Sequence, residues 1–119
     1  MTLDSFAVEL YGCRAALSDL DALSALLHAA AARVGATVLT ETKAAFQPHG
    51  ATVVLVLAES HMILATWPEH NYAMLDLLLC SAEMDAKAAI TVVTEGLCPN
   101  SIRESRSPRT IGPAPAESA

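Results

Sequence analysis

Two apolar runs, TVVLVLA (Thr52–Ala58) and HMILATW (His61–Trp67), are separated in the chain only by Glu59 and Ser60. Each is β-branched or leucine-rich and reads as a buried strand. So short a link cannot carry a crossover, and the two strands must lie antiparallel and side by side. Taken with His61, the link is a three-residue hairpin connection, Glu59-Ser60-His61, of a common length. Its residues are unusual, because none of the three is preferred at positive φ, where such hairpins generally place glycine. A polar site that tolerates strain between buried strands is often kept for function.

The rest of the chain supplies partners for this hairpin. FAVELYG (Phe6–Gly12) alternates as a first strand. Ser18, with Asp21 three residues on, has the spacing of a capping box, and Leu20, Leu23, Leu26, Leu27, Ala30, Ala31 and Val34 follow at helical spacing up to Gly35. ATVLTETKAAF (Ala36–Phe46) reads as a strand closed by the turn-prone QPHG. NYAMLDLLLC (Asn71–Cys80) fits helix or strand by pattern, and strand is preferred because a better helix candidate follows at Ala82–Leu97. In that helix Thr91, Val92 and Val93 weaken the second half.

The fold expected is α+β, a two-layer sandwich with an antiparallel-rich sheet covered on one face by helices. The other face stays apolar and suits a dimer contact. Residues 1–98 form one domain. Residues 99–119, rich in Ser, Arg and Pro, read as a partly disordered tail, with CPNSIRESRSP supplying no clear strand and the last dozen residues disordered.

Composition narrows the function classes. Seven Lys and Arg against thirteen Asp and Glu give a net charge of −6, and nucleic-acid binding needs a clustered basic surface. The local cluster Arg103, Arg106 and Arg109 reads as solvated, flexible chain. Three cysteines without a C-x-x-C spacing, no export signal and no apolar run near the roughly 18 residues of a membrane helix point to a cytoplasmic protein with free thiols. The four histidines show no metal-ligand spacing, and no metal is expected.

Glu-Ser-His followed by TWPE and YAMLDLLLC, with GATV and FQPHG upstream, resembles the prokaryotic S-adenosylmethionine decarboxylase proenzymes from the first strand to about Glu95. The resemblance implies that the Ser60 hydroxyl attacks the Glu59 carbonyl and turns the peptide bond into an ester. β-Elimination then releases two chains, 1–59 and 60–119, the second beginning with a pyruvoyl group. Loss of CO2 from an α-amino acid needs an electron sink, which a pyruvoyl carbonyl provides through a Schiff base with the substrate amine.

The same likeness makes Cys80 the acid that protonates the substrate carbon, and Phe46 and Glu69 the groups that hold adenine and the ribose hydroxyls. Both binding roles are physically sound, since a ring face suits a purine and two acceptor oxygens suit a diol. Trp67 is either a substrate contact or packing. Thr52 stands where the family has a serine hydroxyl. The substrate implied is S-adenosylmethionine and the product the aminopropyl donor for spermidine. One departure stands out: five positions after the serine, where the family has a histidine, this chain has Ala65, which cannot move a proton. His49 and His70 are loop candidates to replace it. Two other readings stay open: a pyruvoyl-dependent arginine or ornithine decarboxylase, with Asp76 or Glu69 facing the distal cation, and an unprocessed, non-catalytic partner or regulator.

Overall fold

The computed structural model describes residues 1–80, 82–114 and 116. Six antiparallel strands form one sheet in the order β2-β3-β4-β5-β1-β6: β1 Thr2–Tyr11, β2 Val38–Ala45, β3 Ala51–Leu57, β4 Ser60–Trp67, β5 Tyr72–Cys80 and β6 Ser101–Thr110. Helices α1 (Leu20–Arg33) and α2 (Ala86–Leu97) pack on each other and cover one face, α1 over β2, β3 and β4, α2 over β5 and β1. This is the α+β, two-layer arrangement expected from the element order.

Strand alternation decides which side chains the helices cover. Val53, Leu55 and Leu57 of β3, Met62 and Leu64 of β4, Leu75, Leu77 and Leu79 of β5, and Phe6, Val8 and Leu10 of β1 are buried beneath them. They meet Leu23, Leu27, Ala30 and Ala31 of α1 and Ala89, Ile90, Val93 and Leu97 of α2. The remaining strand positions form an open face on the sheet's other side. Val93 and Leu97 also explain why α2 stays helical through its β-branched second half: burial outweighs the small intrinsic cost of those residues.

Four expectations change in detail. Asp19, not Ser18, caps α1, its side chain accepting from the Ala22 N–H at 3.1 Å. Asp85 caps α2 in the same way from Ala88 at 3.3 Å, so that helix begins at Ala86 rather than Ala82. The β3–β4 connection is a two-residue loop, Ala58-Glu59, because Leu57 pairs with Ser60. Finally, residues 101–110 are not flexible tail: they pair with β1 along its whole length, from Tyr11↔Ser101 to Thr2↔Thr110.

The polar sequence of β6 hid it. It is an edge strand, so most of its side chains face water and carry no apolar alternation, and an edge tolerates Pro108. Arg106, although its side chain is exposed, is ordered and paired rather than part of a flexible tail. Its guanidinium holds the nearly buried Asp4 at 2.8 and 3.0 Å, while Lys87 of α2 pairs with Glu104. Where the tail expectation extends to Pro115 and residues 117–119, it lies outside the described residues.

Candidate active site

Glu59 occupies the second loop position of the β3–β4 hairpin with φ +63°, a left-handed conformation that costs a side-chain-bearing residue about 1–2 kcal/mol. Glu59 supplies the carbonyl of the amide that joins it to Ser60. The Ser60 hydroxyl points back toward the Ala58 carbonyl at 3.5 Å. As the partner of buried Leu57, Ser60 projects toward the helix side, whereas His61 projects to the open face opposite Val56 and Leu78. Cys80, half-buried, ends β5 at this same end of the sheet, and alternation from Leu78 places it on the open face.

The opposite end of the same strands holds a second group. Phe46, His49, Thr52, Thr66, Trp67 and Glu69 line a cleft of about 360 Å³. Phe46 sits where β2 turns into β3, its N–H donating to the Gly50 carbonyl at 2.8 Å, and its ring is half exposed. Thr66 is buried and fully used: its hydroxyl donates to the Leu17 carbonyl at 2.7 Å and accepts from the Ala51 N–H at 3.0 Å. Beyond β4, the short helical turn Pro68–His70 carries Glu69, whose Oε1 lies 3.3 Å from His49 Nε2. Ala65 faces the open side between Thr52 and Met74.

One chain therefore brings Ser60 and Cys80 to one end of the sheet and Phe46, Thr52, Trp67 and Glu69 to the other. The seven residues from Ala51 to Leu57, six steps along the strand, put about 20 Å between the two groups. Ala65, five residues along β4 from Ser60, is about 17 Å from it. Asp76 lies midway on the open face, between Ala7 and Ile63, and desolvation pushes its carboxyl above the ordinary aspartate range, with nearby His61 opposing.

Trp67 also packs, its ring 5.7 Å from that of Tyr72, which in turn lies 5.3 Å from Tyr11. Together with His70 these aromatics line a neighbouring cleft of about 460 Å³. Tyr72 donates to Glu9 Oε1 at 2.7 Å, and burial, with that carboxylate beside it, pushes its phenol up to about 12. Sequence reading passed over Tyr11, Tyr72 and Glu9; the signal was the scarcity of aromatics, only five in the chain, three of which gather here. Among the described residues no cluster of three or more His, Cys, Asp or Glu could hold a metal ion. Nor, among the described residues, is any helix long and apolar enough to cross a membrane.

The chain thus presents a six-stranded antiparallel sheet with two helices on one face, the Glu59–Ser60 hairpin at one end and an aromatic and acidic cleft at the other. Comparisons with known proteins show the family. A family model described as S-adenosylmethionine decarboxylase matches residues 4–110. The S-adenosylmethionine decarboxylase proenzyme 2 of Bacillus cereus is 38% identical over 96 residues, 81% of this chain and 78% of that protein. The S-adenosylmethionine decarboxylase proenzyme of Pyrobaculum arsenaticum is 40% identical over 95 residues, 78% of this chain and 76% of that one. The crystal structure of adenosylmethionine decarboxylase from Aquifex aeolicus superposes with a TM-score of 0.82 at 32% identity, covering 100% of this chain and 97% of that chain. The chain belongs to the S-adenosylmethionine decarboxylase family, a family of carboxy-lyases.

Proposed function

We propose that this chain is made as a proenzyme, cleaves itself between Glu59 and Ser60, and then decarboxylates S-adenosylmethionine in the cytoplasm to give the aminopropyl donor for spermidine synthesis. The observation that carries the reading is the left-handed Glu59 at the scissile amide. Cleavage after Glu59 makes that residue a chain end, free to leave the left-handed region, so the mature protein need not bear its cost.

Ser60 supplies the attacking oxygen. Elimination at residue 60 releases the Glu59 carboxylate, and hydrolysis releases its nitrogen as ammonia. The fragments 1–59 and 60–119 stay together because β3 pairs with both β2 and β4. Residue 60 then becomes a chain end, free to turn from the helix side to the open face where Cys80 projects. A pyruvoyl group formed at that end would supply the carbonyl and adjoining amide that accept the electron pair left by departing CO2. Cys80 gives the proton that replaces CO2 on the substrate carbon. Phe46 stacks on adenine, Glu69 takes the ribose hydroxyls, Thr52 offers a hydroxyl beside Ala65, and Trp67 walls the cleft.

These roles need two copies. The roughly 20 Å between the hairpin end and the cleft end exceeds the reach of one substrate held by a single chain. A second copy, packed across the open face with its strands reversed, lays its cleft over the first copy's hairpin. The half-buried or exposed Val54, Val56, Ile63, Met74 and Leu78 on that face support such packing.

A denaturing mass spectrum tests the proposal. Expected are two fragments divided between Glu59 and Ser60, the second lighter by one ammonia than a chain beginning with serine. A single intact chain from active preparations would overturn it.

A further inference from the structure

We infer that Cys13 and Cys98 are a thiol pair whose oxidation to a disulfide ties the two fragments of self-cleavage into one covalent molecule. The pairing itself rests on the fold alone. The tie between fragments rests also on the Glu59–Ser60 reading, which puts Cys13 in residues 1–59 and Cys98 in residues 60–119.

The loop after β1 and the end of α2 are pressed together. The Arg14 N–H donates to the carbonyls of Leu97 and Cys98, both at 3.2 Å, and the Ala15 N–H reaches Leu97 at 3.3 Å. One step further, the Asn100 N–H donates to the Tyr11 carbonyl at 2.8 Å. Gly12 allows this approach, since its φ is +63° and Asn100 stands where a Cβ would be. Standard bond lengths around the hydrogen bond from Arg14 to Cys98 hold the Cα atoms of Cys13 and Cys98 within about 8 Å. A disulfide spans about 4.4–6.8 Å between Cα atoms, so a small closing movement suffices. Cys80 is no rival: β5, nine residues long, puts it about 27 Å from the Asn71 carbonyl that accepts from the Cys13 N–H.

The two thiols differ in a way that orders the reaction. Cys98 is exposed at the left-handed C-cap of α2, its Sγ 3.3 Å from the Glu95 carbonyl. Cys13 is buried, its Sγ 3.6 Å from the Leu10 carbonyl, and burial, with the Cys98 sulfur nearby, pushes its thiol up. The Cys98 thiolate therefore acts first, attacking a small disulfide such as oxidised glutathione to give a mixed disulfide and one released thiolate. Cys13 then gives up its proton, and its sulfur attacks that of Cys98, forming the protein disulfide and releasing the second thiolate. Two protein thiols are oxidised, one small disulfide is reduced to two thiols, and those thiols carry the two protons. Under reducing conditions the pair stays open. Closed, it also restrains the turn that carries Glu69, because the Cys13 N–H donates to Asn71 at 2.8 Å and the Asn71 N–H to Pro68 at 3.1 Å.

The full-length chain, purified with reductant and then freed of it, is exposed to oxidised glutathione, quenched with iodoacetamide and run on denaturing gels with and without dithiothreitol. Expected are two fragments with dithiothreitol and one band near the full-chain mass without it, with peptide mass spectra linking Cys13 to Cys98. Cys98→Ser, a change at an exposed position, should give two fragments in both lanes, as should Cys13→Ser. A glutathione adduct on Cys98 with no linked peptide would overturn the pairing. So would a linked band that persists in Cys98→Ser, or a Cys98-to-Cys98 link between copies. A chain that never cleaves runs as one band in both lanes; a linked peptide from it would uphold the thiol pair while removing the Glu59–Ser60 reading, and with it the tie between fragments.

Discussion

At the scale of single residues, the proposed chemistry separates into a cutting group and a proton donor, and each can be removed alone. Ser60→Ala should give one uncut chain with an unchanged circular dichroism spectrum; two fragments from it would refute the serine as nucleophile. Cys80→Ala should still cut, because Cys80 takes no part in the ester step, yet decarboxylation should fall by about 10²-fold or more when CO2 release is compared with the fraction cleaved. The strain at Glu59 is separable too. In a Ser60→Ala background, which keeps the chain whole, Glu59→Gly should raise stability by about 0.5–1 kcal/mol in urea unfolding, since glycine adopts φ +63° without a Cβ penalty.

At the scale of elements, α1 is tied to the sheet by a polar cluster as well as by its leucines. Ser24 and His28 of α1 both bond Glu41 of β2, and Lys43 lies 3.7 Å from Glu41 and 3.4 Å from Asp21. The Ser24 hydroxyl, then His28 and Lys43, hold the Glu41 carboxyl below its ordinary range against some desolvation. A carboxyl with a depressed folded-state pKa contributes stability that is present above its unfolded pKa and lost as pH falls through the folded one. Thermal unfolding temperature should therefore drop on acidification below the usual glutamate range, and Glu41→Gln should flatten that drop. An unchanged acid limb in the variant would assign the loss to other carboxylates. The α1–α2 contact is equally specific: a Cβ at Gly96 would come within 2.4 Å of Leu26, so the two helices meet where one has no side chain.

At the scale of the whole molecule, the sheet is finished on one face only. Its helix-covered face supplies the core, while the open face carries Val56, Trp67 and Tyr11 with more than a third of their surface exposed. If two copies close over this face, Val56→Glu should shift the sedimentation profile to a monomer and abolish decarboxylation together. A monomeric variant with full activity would mean that one chain completes its own site.

The sequence by itself determined the layering and most of the elements. Alternation in Thr52–Trp67 and the helical spacing from Leu20 to Val34 are local patterns, and the Glu59-Ser60 link was short enough to dictate antiparallel pairing. The site residues were legible only as a resemblance. Nothing in their spacing told that Ser60 and Phe46 lie at opposite ends of the same strands, because that distance follows from register. Tertiary structure alone decided three matters. The polar Ser101–Thr110 became a strand because β1 offered it a free edge, and backbone pairing needs no apolar pattern. Glu59 entered the left-handed region because pairing of Leu57 with Ser60 left two residues to reverse the chain. His49 came to face Glu69 because the β2–β3 turn and the helical turn after β4 converge at one end of the sheet, a meeting of segments twenty residues apart that no local pattern encodes.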